Sequence, residues 1–209
     1  MNHLVLVGDS IFDNASYVDQ NEAVIDQLLN KLNQHHNATL LAVDGDVTSD
    51  VNIQLKKLPK DTTHLFISCG GNDALHIANI LNESAKSVGE VMDRFTQIKH
   101  DFQMRYRSML LASKKQVNNI TICTVYNSVP DIEQRAITAL AMFNEVILME
   151  AFSVGAAVID LRIVCNEVED YSVVSPIEPS KQGGHKISDL IIEVIESHDF
   201  EKDKSSIYV

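Results

Sequence analysis

Residues 4–11 read Leu-Val-Leu-Val-Gly-Asp-Ser-Ile, and the fold can be worked out from this stretch. Four consecutive apolar residues predict a short strand that is buried on both faces, as in a parallel sheet covered by helices on each side. Gly8 permits a sharp turn where that strand ends. The turn leaves the Ser10 hydroxyl at the carboxyl end of the strand, which is where open parallel sheets bind ligands.

Four more short apolar runs follow, at residues 39–43, 64–68, 120–125 and 157–161. Stretches of helical composition or period separate them, at 23–32, 88–109 and 131–152, and a last apolar stripe of helical spacing covers 187–194. This alternation predicts an α/β fold, a three-layer α/β/α sandwich around a flavodoxin-like sheet of five parallel strands. We expect one domain over residues 1–196 and a polar, poorly ordered tail over 197–209.

Composition narrows the possible partners. Acidic residues outnumber basic ones by 29 to 17, and the net charge of -12 opposes binding to nucleic acid and to anionic lipid. No apolar stretch approaches the roughly 20 residues that a membrane span needs, so we expect no membrane partner. The composition does not indicate an oligomeric state.

The first residues, the cysteines and the histidines indicate the cellular compartment and whether a metal site is expected. The first residues have no basic region and no small-residue cleavage site, so they do not resemble a secretory signal. Cys69, Cys123 and Cys165 are odd in number and far apart, which favours reduced thiols and predicts a cytoplasmic protein. Neither the three cysteines nor the eight histidines show a metal-ligand spacing, and we expect no metal and no cofactor.

Three polar segments stand directly after the first three strands. They read Gly8-Asp9-Ser10, Asp44-Gly45-Asp46 and Gly70-Gly71-Asn72-Asp73. Each alone is typical of a strand-to-helix turn. In this order and at these places, they make the sequence resemble the SGNH or GDSL-type hydrolases, a family of esterases and lipases, over residues 4 to roughly 190.

The resemblance implies a role for one residue in each segment. Ser10 matches the family's serine nucleophile, Gly45 its second-block glycine and Asn72 its third-block asparagine. In the family, the backbone N–H groups of the serine and glycine and the asparagine amide form the oxyanion hole. Such donors stabilise the negative charge that develops on a carbonyl oxygen during acyl transfer. We expect Asp73 only to brace its turn.

The sequence departs from the family where the general base should be. The family's fifth block reads Asp-x-x-His, with a glycine five positions after the histidine and then an apolar helix. With Gly183 and Ile187 setting the register, the histidine position holds Glu178 and the aspartate position holds Ser175. His185 is an alternative base, but it lies two residues before Ile187, a rotation of roughly 200° on a helix, so we expect it to face solvent.

Glu178 therefore has three possible roles. It could act as the base or an orienting group, since burial can raise a glutamate pKa toward 6 or 7. It could bind a ligand without catalysis, or it could be a structural turn residue. Ser175 is compatible with all three, because a glutamate base has no imidazole for an aspartate to orient.

Two functions follow, one catalytic and one not. The favoured hypothesis is a serine esterase or acyl hydrolase of small ester or acyl substrates, with Ser10 as nucleophile and Gly45 and Asn72 in the oxyanion hole. The alternative is a catalytically impaired binding module for an acyl or carboxylate ligand. A flavodoxin-like module for a phosphorylated cofactor is disfavoured, because the Gly8 loop has neither a P-loop lysine nor a Gly-x-Gly-x-x-Gly pattern.

Overall fold

The computed structural model describes residues 2–202 and 204–209. Its sheet has six parallel strands in the order β2-β1-β3-β4-β5-β6. The strands are β1 (Asn2–Gly8), β2 (His36–Leu40), β3 (His64–Ser68), β4 (Asn119–Cys123), β5 (Ala157–Ile159) and β6 (Ile207–Tyr208). The predicted α/β class and parallel sheet are confirmed.

The sixth strand corrects the expectation of five. Ile207 and Tyr208 pair in parallel with Val158 and Ile159 at the edge of the sheet. Phe200, before this strand, also packs against the sheet, since its ring and that of His64 in β3 meet edge to face with centroids 5.0 Å apart. The polar composition of 197–209 suggested a poorly ordered tail, but two strand residues suffice to add an edge strand when a neighbouring strand offers free backbone groups.

Among the described residues, seven α-helices flank the sheet. They are α1 (Val24–Lys31), α2 (Val51–Gln54), α3 (Gly71–His76), α4 (Val88–Lys114), α5 (Gln134–Ser153), α6 (Leu161–Val164) and α7 (Lys181–Ser197). Leu4 and Leu6 of β1 point into one core with α1 and α7, and Val5 and Val7 point into another with α4 and α5. Because side chains alternate along a strand, one short run serves both cores and creates the three layers.

Helix α4 is buried over only part of its length. Its stripe of apolar residues predicts a continuous inner face, yet Val88 is 78% exposed whereas Tyr106 is completely buried. A helix of 27 residues spans about 40 Å, more than twice the length of a five-residue strand. The first half of α4 therefore projects past the sheet at the end where the site lies.

Helix α5 is long and apolar enough to cross a membrane, with a mean hydropathy of 1.4 over an 18-residue window. The sequence predicted no apolar stretch as long as a membrane span, because polar residues interrupt the apolar runs of this helix. Phe143, Val146 and Ile147 of this helix are buried in the core beside the sheet. A core helix passes the same test of length and composition as a membrane span, so this result is weak evidence for one.

Candidate active site

The turn after β1 places Ser10 at the carboxyl end of the sheet. Gly8 has a φ of 124°, and a Cβ at this position would lie 1.7 Å from the Ser68 carbonyl oxygen of the neighbouring strand β3. Only glycine fits so close to a backbone. The chain then turns, with the Phe12 N–H donating to the Asp9 carbonyl (3.1 Å), and the buried Ser10 lies directly beside the end of β3.

Asn72 lies in the first turn of α3, directly after β3. Its Nδ2 donates to the Asp46 carbonyl at 3.0 Å, which ties the loop after β3 to the loop after β2. Asp73 completes this link, because its Oδ2 accepts from the Thr48 backbone N–H (2.9 Å) and hydroxyl (2.8 Å). Asp73 thus braces the turn, as its sequence position predicts.

Gly45 lies in the loop that Asn72 and Asp73 hold. Its φ is 84°, a conformation that favours glycine, and the residue is exposed. Within residues 2–202 and 204–209, no acceptor receives the backbone N–H of Gly45 or that of Ser10. Neither N–H group is therefore committed to a hydrogen bond within the described part of the chain.

Glu178 is 3% exposed and sits in a loop that several hydrogen bonds fix. The Tyr126 hydroxyl donates to the Ile177 carbonyl (2.5 Å), and the Asn14 amide donates to the Pro179 carbonyl (3.0 Å). The Glu178 carbonyl itself accepts from the Ser172 N–H (2.8 Å). The backbone on both sides of Glu178 is therefore anchored.

Burial changes the chemistry of the Glu178 carboxylate. Loss of solvation raises its pKa to about 7, and the negative charge of Asp44 also raises it, while the Ser10 side chain acts as a hydrogen-bond donor that lowers it. In the described part of the chain, Oε2 is buried without a hydrogen-bond partner. At neutral pH, Glu178 is thus divided between its acid and base forms.

The alternative base lies elsewhere. The His185 side chain is 62% exposed in the first turns of α7, and its Nε2 is 3.3 Å from Asp189 Oδ2. This is the solvent-facing orientation that the helical register predicts. Ser175 is half-buried in the Glu178 loop, where its carbonyl accepts from the Glu178 N–H at 3.0 Å.

Ser10, Asn72 and Glu178 line a single cavity of about 130 Å³. Gly45 and His185 are not among its lining residues. Away from these three polar residues, the cavity runs between α3, the projecting half of α4 and the start of α5. Apolar side chains dominate there, among them Leu81, Phe95, Val129, Ile132, Leu140 and Phe143.

A comparison with protein-family models matches residues 4–197 to the GDSL-like lipase/acylhydrolase family. The chain belongs to this family. Membership supports the coarse prediction of an ester-hydrolysing enzyme. A search of curated proteins found no match.

Solved structures resemble this GDSL-family chain in fold. A lipase from a goat rumen metagenome is 20% identical, with a TM-score of 0.72 over 92% of this chain and 97% of that chain. A Streptomyces rimosus extracellular lipase is 17% identical, with a TM-score of 0.66 over 92% and 99%. An acetyl xylan esterase variant from Geobacillus stearothermophilus is 15% identical, with a TM-score of 0.64 over 93% and 94%.

Asp9 lines the cavity of this GDSL-family chain but was not among the site residues predicted from the sequence. The side chain is buried next to Ser10 and lines the cavity, and its Oδ1 accepts from the Ile11 N–H at 3.2 Å. Burial, with smaller contributions from Glu178 and Asp73, raises its pKa to about 8, so at neutral pH the carboxyl is mostly protonated. Its place in the Gly8-Asp9-Ser10 turn was visible, but its burial depends on residues far away in the chain.

Among the described residues, no three His, Cys, Asp or Glu side chains are arranged to hold a metal ion. The three cysteines are free and buried, which agrees with the predicted reduced thiols. Burial raises the pKa of each thiol, and Cys165 reaches about 12. None of them is ionised at neutral pH, so none is a competing nucleophile.

Proposed function

We propose that this protein is a serine acyl hydrolase of small esters, with Ser10 as the nucleophile and Glu178 as the general base. One observation carries the proposal: the buried Ser10 and the buried Glu178 carboxylate line the same cavity. Burial raises the pKa of that carboxylate to about 7. A base is most effective when its pKa is close to the working pH. Burial thus gives a glutamate the basicity that an imidazole ordinarily has.

The reaction has two halves. Ser10 Oγ attacks the carbonyl carbon of the ester while its proton passes to Glu178. The tetrahedral intermediate collapses, the bond to the alcohol oxygen breaks, and Glu178 returns the proton to the departing alcohol. Glu178 then takes a proton from water, whose oxygen attacks the acyl-Ser10 ester; collapse releases the carboxylic acid, and the proton returns to Ser10.

Three donors would receive the oxyanion. The backbone N–H groups of Ser10 and Gly45 have no acceptor among the described residues, and Asn72 uses one amide hydrogen on Asp46 and keeps a second. The bond to Asp46 also orients the amide, so the second hydrogen is fixed before substrate binds. Each such donor contributes about 10²- to 10³-fold to turnover.

The proposal is tested by hydrolysis of 4-nitrophenyl acetate by wild type, Ser10→Ala and Ser49→Ala. Ser49 is an exposed serine of the loop after β2 and serves as the matched control. We expect wild type and Ser49→Ala to hydrolyse the ester and Ser10→Ala to lose this activity, leaving only background. Equal rates for wild type and Ser10→Ala would overturn the proposal.

Labelling with an alkyl phosphonate separates the enzyme from the binding module. A phosphonate reacts only with an activated serine, and mass spectrometry locates the adduct. We expect the adduct on Ser10 of wild type and no adduct in Ser10→Ala. An unlabelled wild type that still binds acyl amides would instead support the non-catalytic module.

A further inference from the structure

The residues that line the cavity beside Ser10 indicate which acyl groups fit it. Its polar end holds Ser10, Asn72 and Glu178, and the space continues into a region walled by Leu81, Phe95 and other apolar side chains. The chain of an acyl group attached to Ser10 can extend into this region of the cavity. Apolar walls favour a hydrocarbon chain, because each buried methylene leaves water.

The charge of the wall excludes ionic acyl groups. No Lys, Arg or His is found among the described residues that line the cavity, so a carboxylate on the acyl chain would find no counter-charge. Asp9 is mostly protonated at pH 7, because burial raises its pKa to about 8. The apolar end has no carboxylate among its described lining residues, so a cationic acyl chain would find no counter-charge there.

The size of the cavity sets the chain length. Its volume of about 130 Å³ is close to that of an apolar protein cavity of about 150 Å³ that binds benzene, a six-carbon molecule. An acetyl group would leave most of the cavity unfilled, and a chain of twelve carbons would have to extend outside it.

Contacts between charged and polar groups hold the wall in place. Arg135 of α5 donates to the Leu81 carbonyl (3.3 Å) and to Asn82 Oδ1 (3.2 Å), and Arg94 of α4 donates to Glu83 Oε2 (3.0 Å) and the Ser84 carbonyl (3.2 Å). The segment after α3 is thereby attached to both neighbouring helices. These contacts fix the position of Leu81 in the cavity wall.

We propose that the substrate is an ester of an uncharged, medium-chain fatty acyl group of about six carbons, which lies in this cavity. The inference rests on the proposed function of Ser10. Each methylene that enters the cavity should raise kcat/KM by about fourfold. From acetyl to hexanoyl, the increase is expected to reach on the order of 100-fold, and dodecanoyl should fall well below hexanoyl.

Ala139 offers a way to fill the cavity without touching the reacting groups. It is half-buried on α5 and lines the apolar end, whereas Ala141, two residues later on the same helix, is exposed. Phenylalanine at position 139 would occupy the space for the chain. The same substitution at position 141 has an equal intrinsic effect on the helix and leaves the cavity open.

The test compares kcat/KM for the acetate, hexanoate and dodecanoate esters of nitrophenol in wild type, Ala139→Phe and Ala141→Phe. We expect Ala139→Phe to lower the ratio of the hexanoate value to the acetate value at least tenfold, while Ala141→Phe resembles wild type with both esters. Thermal unfolding establishes that Ala139→Phe is folded. If Ala139→Phe does not fold, Ala139→Leu replaces it, with the same expected shift.

Failure of the inference and failure of the proposed function give different results. Ser10-dependent hydrolysis with no preference for hexanoate would overturn the medium-chain assignment and leave the acyl hydrolase in place. If no ester is hydrolysed, calorimetric titration with hexanamide and acetamide decides the matter. Tighter binding of hexanamide, lost in Ala139→Phe, would support the cavity assignment, and equal binding of the two amides would overturn it.

Discussion

The loop around Glu178 and the first turns of α7 carry the two candidate bases of this protein, only seven residues apart. The Glu178 side chain is buried, with a pKa raised to about 7, whereas the His185 side chain is 62% exposed and pairs with Asp189. Histidine is the more usual base at neutral pH. In the proposed mechanism, position and solvation, rather than residue type, decide which of the two groups can act as the base for Ser10.

The greatest loss of activity should come from replacing Glu178, and replacement of His185 is the comparison. Glu178→Gln keeps the shape of the side chain but cannot accept a proton, and we expect kcat/KM to fall by about 10²- to 10⁴-fold. His185→Ala removes an exposed side chain and should change kcat/KM by less than about twofold. Initial rates on a nitrophenyl ester measure both, and a large loss in His185→Ala alone would reverse the comparison.

The pH dependence of wild type gives the next effect in size. Only the ionised form of Glu178 accepts a proton, so kcat/KM should rise about tenfold per pH unit well below 7 and level off above its pKa of about 7. The negative charge of Asp44 raises that pKa. We therefore expect Asp44→Asn to move the midpoint to lower pH.

Asp19→Asn is the control for that shift. Asp19 is an exposed carboxylate on the segment before α1, and its removal changes the net charge equally. Rate profiles between about pH 5 and pH 9 for the three proteins check the prediction, since they bracket the expected midpoint. The same midpoint in Asp44→Asn and wild type would show that Asp44 does not act on the base.

A weaker effect concerns how the Glu178 loop is held. Tyr126→Phe removes the hydrogen bond to the Ile177 carbonyl, which should cost about 1 kcal/mol in the free energy of unfolding and lower kcat/KM a few-fold. Tyr171→Phe removes a similar bond, from its hydroxyl to the Cys165 carbonyl (2.7 Å), and keeps the backbone bridge to Pro179 and the ring contact with Tyr126. Thermal unfolding and ester hydrolysis together distinguish them: both variants should lose stability, and only Tyr126→Phe should lose activity.

Much of the fold followed from local patterns. The strand at 64–68 was predicted with its observed bounds, and the run at 4–7 is the centre of β1. The predicted strand at 39–43 is displaced, since β2 ends at Leu40 and Leu41 and Ala42 both donate to the Leu6 carbonyl. Apolar character identifies a strand well, but its ends depend on the pairing partner.

The amino-acid sequence alone was enough to predict a parallel α/β protein with Ser10 and Asn72 after neighbouring strands, because strand periodicity and the Gly8 turn are local properties. The resemblance also predicted that Glu178 stands where the family has its histidine, and this alignment stays a prediction. The pKa of that glutamate, the protonation of Asp9 and the size of the cavity required the folded structure. These depend on how much water the surrounding side chains exclude, and those side chains come from segments as distant as Asn14, Tyr126 and Phe143.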